Sequence, residues 1–343
     1  MPSSTLQMPS STLPAVRAVI VGLGQVGSRF DEEPRPSIWS HAGAYLHLAD
    51  DYQLLAGADP TEEQRARFQR RCPQARVYAD GVAMVGETRP DVISVCTPPT
   101  GRRALIDRLL DAWRPKVLIC EKPLELSEPE RQGIVSRCAT ENVALLVNYV
   151  RRYQTTYQQA RQAIAAGRVG RLVSVSVRAP NRLWSIGSHA VNLLAYLAGA
   201  HPTLSAVLPL PDLAELGEPA ANALFQFPGG VTGALLTMGR RDVLIFEVDV
   251  VGEAGRLLVS HNGDHVSLTP FVPSPSFVGY RVPAAPIAIA TQNQAQSPFV
   301  ELAKAAAAQA RGGVAPSTDG PDALRSESIV EAIIASCRER EAG

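Results

Sequence analysis

The first chemistry legible in this chain lies in three glycines, Gly22-Leu23-Gly24-Gln25-Val26-Gly27. Glycines at this spacing have separate tasks. One permits a tight turn, one lets the backbone approach a pyrophosphate, and one allows a helix to pack close to a strand. The helix start then presents unpaired N–H groups and the positive end of its dipole to an anion. The turn carries this meaning only where it follows a strand and opens a helix. Ala15–Val21 ahead of it is an apolar run of the right kind. Asp59 fits the same ligand. It closes the next apolar run, Gln53–Ala58, where a carboxylate accepts hydrogen bonds from the adenosine ribose hydroxyls. It would repel a 2′-phosphate, so NAD is expected over NADP. Asp59 lies farther from the turn than the usual ~20 residues. The acidic, proline-containing insertion Phe30–Ser40 accounts for the excess. Asp59 also suits the cap of a helix beginning near Thr61, and the two roles are compatible.

A parallel sheet is needed to position these groups, and the pattern supplies one. Apolar runs at Ala15–Val21, Gln53–Ala58, Asp91–Cys96, Lys116–Cys120 and Val143–Val147 read as strands buried on both faces. Helical segments alternate with them: a helix opening at the glycine turn, a piece capped by Ser40 and running to about Leu48, then Thr61–Arg71, Leu105–Trp113 and Glu128–Thr140. This alternation predicts a doubly wound α/β Rossmann domain over 15–148. Beyond it, helices are expected at Thr155–Ala166 and His189–Leu197. Strands follow near Leu172–Ala179, Ala221–Phe227, Thr232–Met238, Leu244–Val251, Arg256–Ser260 and Val266–Thr269. Consecutive strands predict an α+β domain over 149–343 with a large open, mostly antiparallel sheet. Phe271–Pro286 reads as a loop, and two helices, Pro298–Arg311 and Ala323–Arg340, close the chain.

Bulk properties exclude several classes. The 343 residues suit two domains of roughly 100–200 residues each. Lys plus Arg equals Asp plus Glu at 33 each, which argues against nucleic acid and membrane surfaces as partners. No apolar run approaches the roughly 18–20 residues of a membrane span. The five cysteines, Cys72, Cys96, Cys120, Cys138 and Cys337, have no zinc or dithiol spacing, so no metal is expected and a reducing cytoplasm is. Residues 1–14 contain a doubled Met-Pro-Ser-Ser-Thr-Leu and read as a disordered leader, with two start codons or a cloning remnant as its origin.

The chain resembles the glucose–fructose oxidoreductase / inositol dehydrogenase / MocA (Gfo/Idh/MocA) family. The matching residues are the glycine turn, Asp59, Val95-Cys96-Thr97-Pro98, Cys120-Glu121-Lys122-Pro123, Val147-Asn148-Tyr149 with Arg151-Arg152, and Gly187-Ser188-His189. Ser297–Phe299 and Asp319-Gly320 also fit. Glu-Lys-Pro after a strand is the most specific of these. The resemblance implies an NAD(P)-dependent oxidoreductase acting on a sugar, cyclitol or nucleotide sugar. It implies that Thr97, Pro98, Glu121 and Lys122 border the nicotinamide, with Gly22, Gly24, Gln25, Val26, Gly27 and Asp59 holding the rest of the cofactor. Lys122 then steers the proton at the reacting oxygen, with His189 as second candidate. An ammonium stabilises the charge that develops on a carbonyl taking a hydride, and can give up a proton.

The pattern also departs from the family. A histidine placed like His189 often follows an aspartate by four residues and precedes another by three. Here those positions are Ser185 and Asn192, so a carboxylate partner is missing. Thr100-Gly101-Arg102-Arg103 replaces a stretch that commonly holds a histidine, and Arg102 either reaches a cofactor phosphate or heads a helix. By position in the pattern, Tyr149, Arg152, Asn181, Arg182, Trp184, Ser185 and Asn192 are the substrate candidates, with Arg151 beside them. Arg152 alternatively ties the domains together by an ion pair. Aromatic faces suit sugar rings and arginines suit carboxylate or phosphate. Relatives use the second-domain sheet as a subunit interface, which implies a homodimer or homotetramer. Two other functions fit the same residues: a redox-neutral NAD-dependent epimerase or lyase, and a non-catalytic NAD-binding regulator.

Overall fold

The computed structural model describes residues 13–180, 182–211, 218–238, 243–292, 296–313 and 319–342. The leader of the sequence reading lies almost wholly outside them. The apolar runs become short buried strands. In chain order the first elements are β1 (Val16–Val21), α1 (His41–His47), β2 (Tyr52–Ala58), α2 (Glu62–Arg71), β3 (Arg76–Tyr78), α3 (Gly81–Thr88), β4 (Val92–Val95), α4 (Arg102–Ala112), β5 (Val117–Cys120), α5 (Glu128–Thr140) and β6 (Ala144–Val147). The strands form one sheet in the order β3-β2-β1-β4-β5-β6. β1 pairs in parallel with both β2 and β4. Strand order reverses there, and ligands of such sheets bind outside the carboxyl ends at this point. Every residue of β4 and β5 is buried, so their sequences carry no polar face.

The helix expected at the glycine turn is interrupted. Ser28 and Arg29 N–H both donate to Gly24 O at 3.0 Å, and Phe30 N–H to Gln25 O at 2.9 Å. The chain then leaves and returns at His41, whose N–H donates to Val26 O at 2.9 Å, while Ala42 N–H donates to Gly27 O at 3.0 Å. α1 therefore continues the same hydrogen-bond ladder, and the insertion is looped out of it. Asp31 closes the neck by accepting from Trp39 N–H at 2.8 Å and from the Ser40 hydroxyl. Ser40 caps α1 as expected, accepting from Gly43 N–H at 3.0 Å.

The remaining elements are α6 (Thr155–Ala165), β7 (Leu172–Ala179), α7 (Ser188–Ala198), β8 (Thr203–Pro209), β9 (Ala221–Gln226), β10 (Thr232–Thr237), β11 (Glu247–Gly252), β12 (Gly255–Ser260), β13 (His265–Pro273), β14 (Arg281–Pro283), β15 (Ile287–Thr291), α8 (Pro298–Ala310) and α9 (Gly320–Ala342). The strands form a nine-stranded sheet, β14-β13-β12-β11-β7-β10-β9-β8, with β15 on β13. β7 and β10 run parallel, and the other pairs antiparallel. One face is covered: Val175, Val177, Phe225, Leu235, Val248 and Val250 share a core with Leu193, Leu194 and Leu197 of α7 and Val330, Ile333 and Ile334 of α9. Phe271–Pro286 is not a loop throughout. Its ends pair as a hairpin, Phe271 opposite Pro283 and Pro273 opposite Arg281. β14 ends the sheet, where a proline costs no ladder bond on its open side.

The chain divides into two compact units. One runs to Glu121, adds Ser136–Leu146, and takes in the segment from Phe299, hence nearly all of α8. The other holds Lys122–Val135, Val147–Pro298 and the chain from Ser317. Within the first unit, the Tyr52 hydroxyl donates to Ala303 O at 2.6 Å. Arg311 pairs with Asp51 at 3.0 Å, and the Phe299 ring meets His41 edge-on at 5.3 Å.

Candidate active site

Two of the three glycines meet the steric demands that their spacing predicts. Gly22 has φ +92°, and a Cβ there would stand 2.9 Å from the Cys96 carbonyl carbon and 3.0 Å from Thr97 N. A Cβ on Gly27 would lie 2.1 Å from Gly22 O, so only glycine lets the first helical turn lie against β1. A Cβ on Gly24 would meet nothing within 4 Å. The open side of the turn, with Gln25 exposed and Val26 half-buried beside Gly24 at the helix start, could hold a pyrophosphate. This makes Gly24→Ala a clean probe. The variant is expected to melt with the wild type, because nothing in the protein is displaced. It is expected to bind NADH about tenfold more weakly, a loss of ~1.4 kcal/mol, measurable by fluorescence titration.

Asp59 lies between the glycine turn and the start of α2. Oδ2 accepts from Leu23 N–H at 2.9 Å and Oδ1 from Thr61 N–H at 2.9 Å. The carboxylate thus links the end of β2 to the glycine turn and heads α2. Thr97 and Pro98 follow β4, half-buried and exposed respectively. Arg102 is 2% exposed, and its guanidinium donates to the carbonyls of Thr97 and Glu121. It is also the first residue of α4. Arg102 is a buried brace between the loops after β4 and β5. Glu121 ends β5, and its Oε1 lies 3.1 Å from His41 Nε2, a partner that the sequence reading did not identify.

Lys122, Ser185 and His189 come together in the second unit. Lys122 Nζ donates to the backbone carbonyl of Ser185 at 2.7 Å. Ser185 sits in a single π-turn, Leu183–Gly187, entered through Arg182 at φ 101°. A non-glycine residue there is strained by about 1–3 kcal/mol. The turn is held by Ile186 and Gly187 N–H on Arg182 O at 2.9 and 3.0 Å, and by the Ser188 hydroxyl on Trp184 O at 2.6 Å. His189 follows at the start of α7. It is buried, its ring meets Tyr149 edge-on at 5.6 Å, and its Nδ1 has no hydrogen-bond partner. Burial, then Lys122, then Arg151 push its pKa well below the ordinary histidine range. Trp184 is half-buried, with its indole 5.5 Å from the Arg131 guanidinium. Asn181 lies outside the described residues.

Three substrate candidates are buried and paired within the second unit. Tyr149 is 1% exposed, and its hydroxyl donates to Glu327 at 2.9 Å. Burial and the Glu327 charge raise its pKa well above the usual phenol range. Arg152 pairs with Asp322 at 2.7 Å and lies 4.9 Å over the Tyr196 ring. Asn192 is 1% exposed and donates to Asp322 and Ser326 at 2.8 and 3.0 Å. Asp322 and Ser326 belong to α9, in the same unit as Arg152 and Asn192. Burial raises the pKa of Asp322, but hydrogen bonds from His201 and Asn192 and the Arg152 charge outweigh it and leave the carboxyl lowered. The carboxylate missing around His189 is not restored, because Asp322 contacts Asn192 rather than the histidine. Sequence spacing gave no signal for Asp322 or Glu327. Among the described residues no cluster of three His, Cys, Asp or Glu side chains suits a metal, and no helix is long and apolar enough to cross a membrane.

A glycine cradle at the reversal point of a β3-β2-β1-β4-β5-β6 sheet defines a dinucleotide-binding Rossmann protein. Residues 16–149 match the profile of the Gfo/Idh/MocA oxidoreductase family, which has an NAD-binding Rossmann fold. A D-apiose dehydrogenase of Paraburkholderia graminis is 25% identical over 329 residues, covering 88% of this chain and 84% of that protein. A myo-inositol dehydrogenase of Streptomyces leeuwenhoekii is 26% identical over 262 residues, covering 69% and 74%. The crystal structure of the WlbA dehydrogenase from Bordetella pertussis, in complex with NADH and UDP-GlcNAcA, shares the fold. Its TM-score is 0.72 at 21% identity, over 95% of this chain and 97% of that one.

Proposed function

We propose that this protein is an NAD-dependent dehydrogenase that moves a hydride between nicotinamide and a CH–OH carbon of a sugar, cyclitol or nucleotide sugar. The contact between Lys122 and the Ser185 carbonyl, beside His189, carries the reading. The first unit holds the cofactor through Gly22, Gly24, Gln25, Val26, Gly27, Asp59, Thr97, Pro98 and Glu121. Lys122 and His189 are the pair that handles the proton. The cofactor supplies the hydride acceptor or donor. Lys122 holds the substrate oxygen, taking the hydroxyl proton as the free amine in oxidation and returning it as the ammonium in reduction. His189 is kept uncharged by burial and by the neighbouring ammonium, so it serves as a hydrogen-bond partner to the same oxygen. Arg182, Trp184 and Ser185, all partly exposed, are the remaining substrate contacts. The relatives' names, D-apiose and myo-inositol dehydrogenases, support polyhydroxylated substrates. Asp59 supports NAD over NADP.

The reading extends to setting and assembly. Five free cysteines suit a reducing cytoplasm. Exposed Leu208 and Leu224 on β8 and β9 suit a dimer or tetramer built on the large sheet.

Purified protein mixed with NAD⁺ and a panel of aldoses, cyclitols and nucleotide sugars is expected to produce NADH with at least one of them. NADPH is expected to bind about tenfold or more weakly than NADH, ~1.4 kcal/mol. Product formed with no net NADH would indicate a redox-neutral enzyme. NADH binding with no turnover across the panel would indicate a regulator. Either result sinks the dehydrogenase reading.

A further inference from the structure

A buried polar chain runs through the first unit and ends on Glu121. The Tyr45 hydroxyl lies 2.7 Å from Ser94 Oγ, Ser94 Oγ lies 3.2 Å from His41 Nδ1, and His41 Nε2 lies 3.1 Å from Glu121 Oε1. All four residues are buried: Tyr45 1%, Ser94 0%, His41 3% and Glu121 7% exposed. His41 and Tyr45 are one turn apart on α1, so they share a face. Ser94 lies on β4 and Glu121 at the end of β5. Polar groups this deep are costly unless each finds a partner, and these do. The donors fit one direction. Tyr45 O–H donates to Ser94, Ser94 O–H donates to Nδ1, and Nε2–H donates to the carboxylate.

The looped-out insertion sets this chain in place. His41 is the residue at which the ladder resumes, its N–H on Val26 O. The Asp31 neck and the Ser40 cap fix the resumption point. The far end of the chain is closed: the Tyr45 ring meets the Tyr52 ring at 4.6 Å, tilted by 45°, and the Tyr52 hydroxyl is tied to Ala303 O. Burial pushes the Tyr45 phenol well above its usual range, so it stays protonated as a permanent donor. The chain is therefore a polarised brace rather than a route for protons to solvent.

We propose that His41 is a positioning residue for cofactor binding, orienting the Glu121 carboxylate through Nε2–H as the terminal donor of the Tyr45–Ser94–His41 chain. This rests on the reading that Glu121 contacts the nicotinamide half of the cofactor. An oriented carboxylate is a ready acceptor for hydroxyl or amide donors of that half, and a freely rotating one is not.

The test uses His41→Phe, His41→Gln and Glu121→Gln, with NADH affinity by fluorescence titration and folding by circular dichroism. A glutamine places an amide N–H near the position of Nε2, so it restores the bond to Glu121. Expected are about tenfold weaker NADH binding in H41F and E121Q, and recovery to within about threefold of wild type in H41Q. H41F binding NADH like wild type, while E121Q is weakened, overturns the role of His41 alone. Unchanged binding in E121Q overturns both this role and the placement of Glu121. Nitrogen-15 NMR of histidine in the wild-type protein without cofactor gives a measurement independent of variant folding. His41 is expected with its proton on Nε2 and a bare Nδ1. The opposite tautomer removes the donor to Glu121 and overturns the proposal.

Discussion

Lys122→Ala is expected to lower kcat by about 10²–10⁴-fold, the range that a positioned acid–base group contributes, with NADH binding close to that of the wild type. The pyrophosphate cradle and Asp59 lie in the other unit and are untouched by the substitution. The loss is expected in kcat because the ammonium meets charge that exists only while the C–O bond is changing order. Lys122→Arg is expected to rescue little, since a planar fork does not replace a compact ammonium and does not release a proton near neutral pH. His189 reports on the same substitution. Lys122 is the second cause of its lowered pKa, after burial. Removing the cation is therefore expected to raise the His189 pKa toward the ordinary value, observable by NMR titration. A variant with wild-type kcat, or a His189 pKa that does not move, would remove Lys122 from its assigned place.

Glu327→Ala is expected to cost about 3–5 kcal/mol of stability, the scale for breaking a buried, bonded charge set. Glu327 is fully buried. Its two oxygens accept from Leu124 N–H at 3.0 Å each, and Oε1 accepts from the Tyr149 hydroxyl at 2.9 Å. Arg131 Nε stands 3.8 Å from Oε2. Alanine leaves the amide and the hydroxyl unpaired in a dry interior, which is where unpaired groups cost most. The same residue indirectly supports the chemistry. Leu124 is two residues from Lys122, and Tyr149 packs against the His189 ring. Glu327→Gln, which keeps one acceptor oxygen, is expected to lie between alanine and wild type in urea denaturation. Wild-type stability in the alanine variant would refute the role given to this carboxylate.

Elements whose residues answer to a single local demand were legible in the sequence. Val92–Val95 and Val117–Cys120 are apolar throughout because both of their faces are covered. The glycine turn was legible for a similar reason, as each glycine meets its own steric demand. β3 (Arg76–Tyr78) and α3 (Gly81–Thr88) went unread. The first is three mostly exposed residues, and the second shows no clean apolar period. β8 and β15 were missed because exposed and half-buried positions dilute their alternation. In the site, Lys122 and His189 stood out by pattern. The acceptor of Lys122 is a backbone carbonyl, which has no side-chain signature. Arg152 read as a cleft residue because arginines suit anions, and its pairing with Asp322, far along the same chain, has no signature in the sequence. Position in a motif shows which residues are near the chemistry, but not which of them face it.

The route of α8 bears on the order of folding. The first unit receives Tyr52's acceptor, Asp51's counter-ion and the ring that packs on His41 from residues 299 to 311. As the chain emerges from the ribosome, the strands of the parallel sheet are made first, but the helix that completes their packing arrives only after the whole nine-stranded sheet. Contacts so distant in sequence carry a high loop-closure cost and form late. The two units therefore do not mature one after the other. The first unit is finished only once α8, which follows β15, has been synthesised, so a nascent chain stopped before it would lack the helix that packs on Tyr52 and His41.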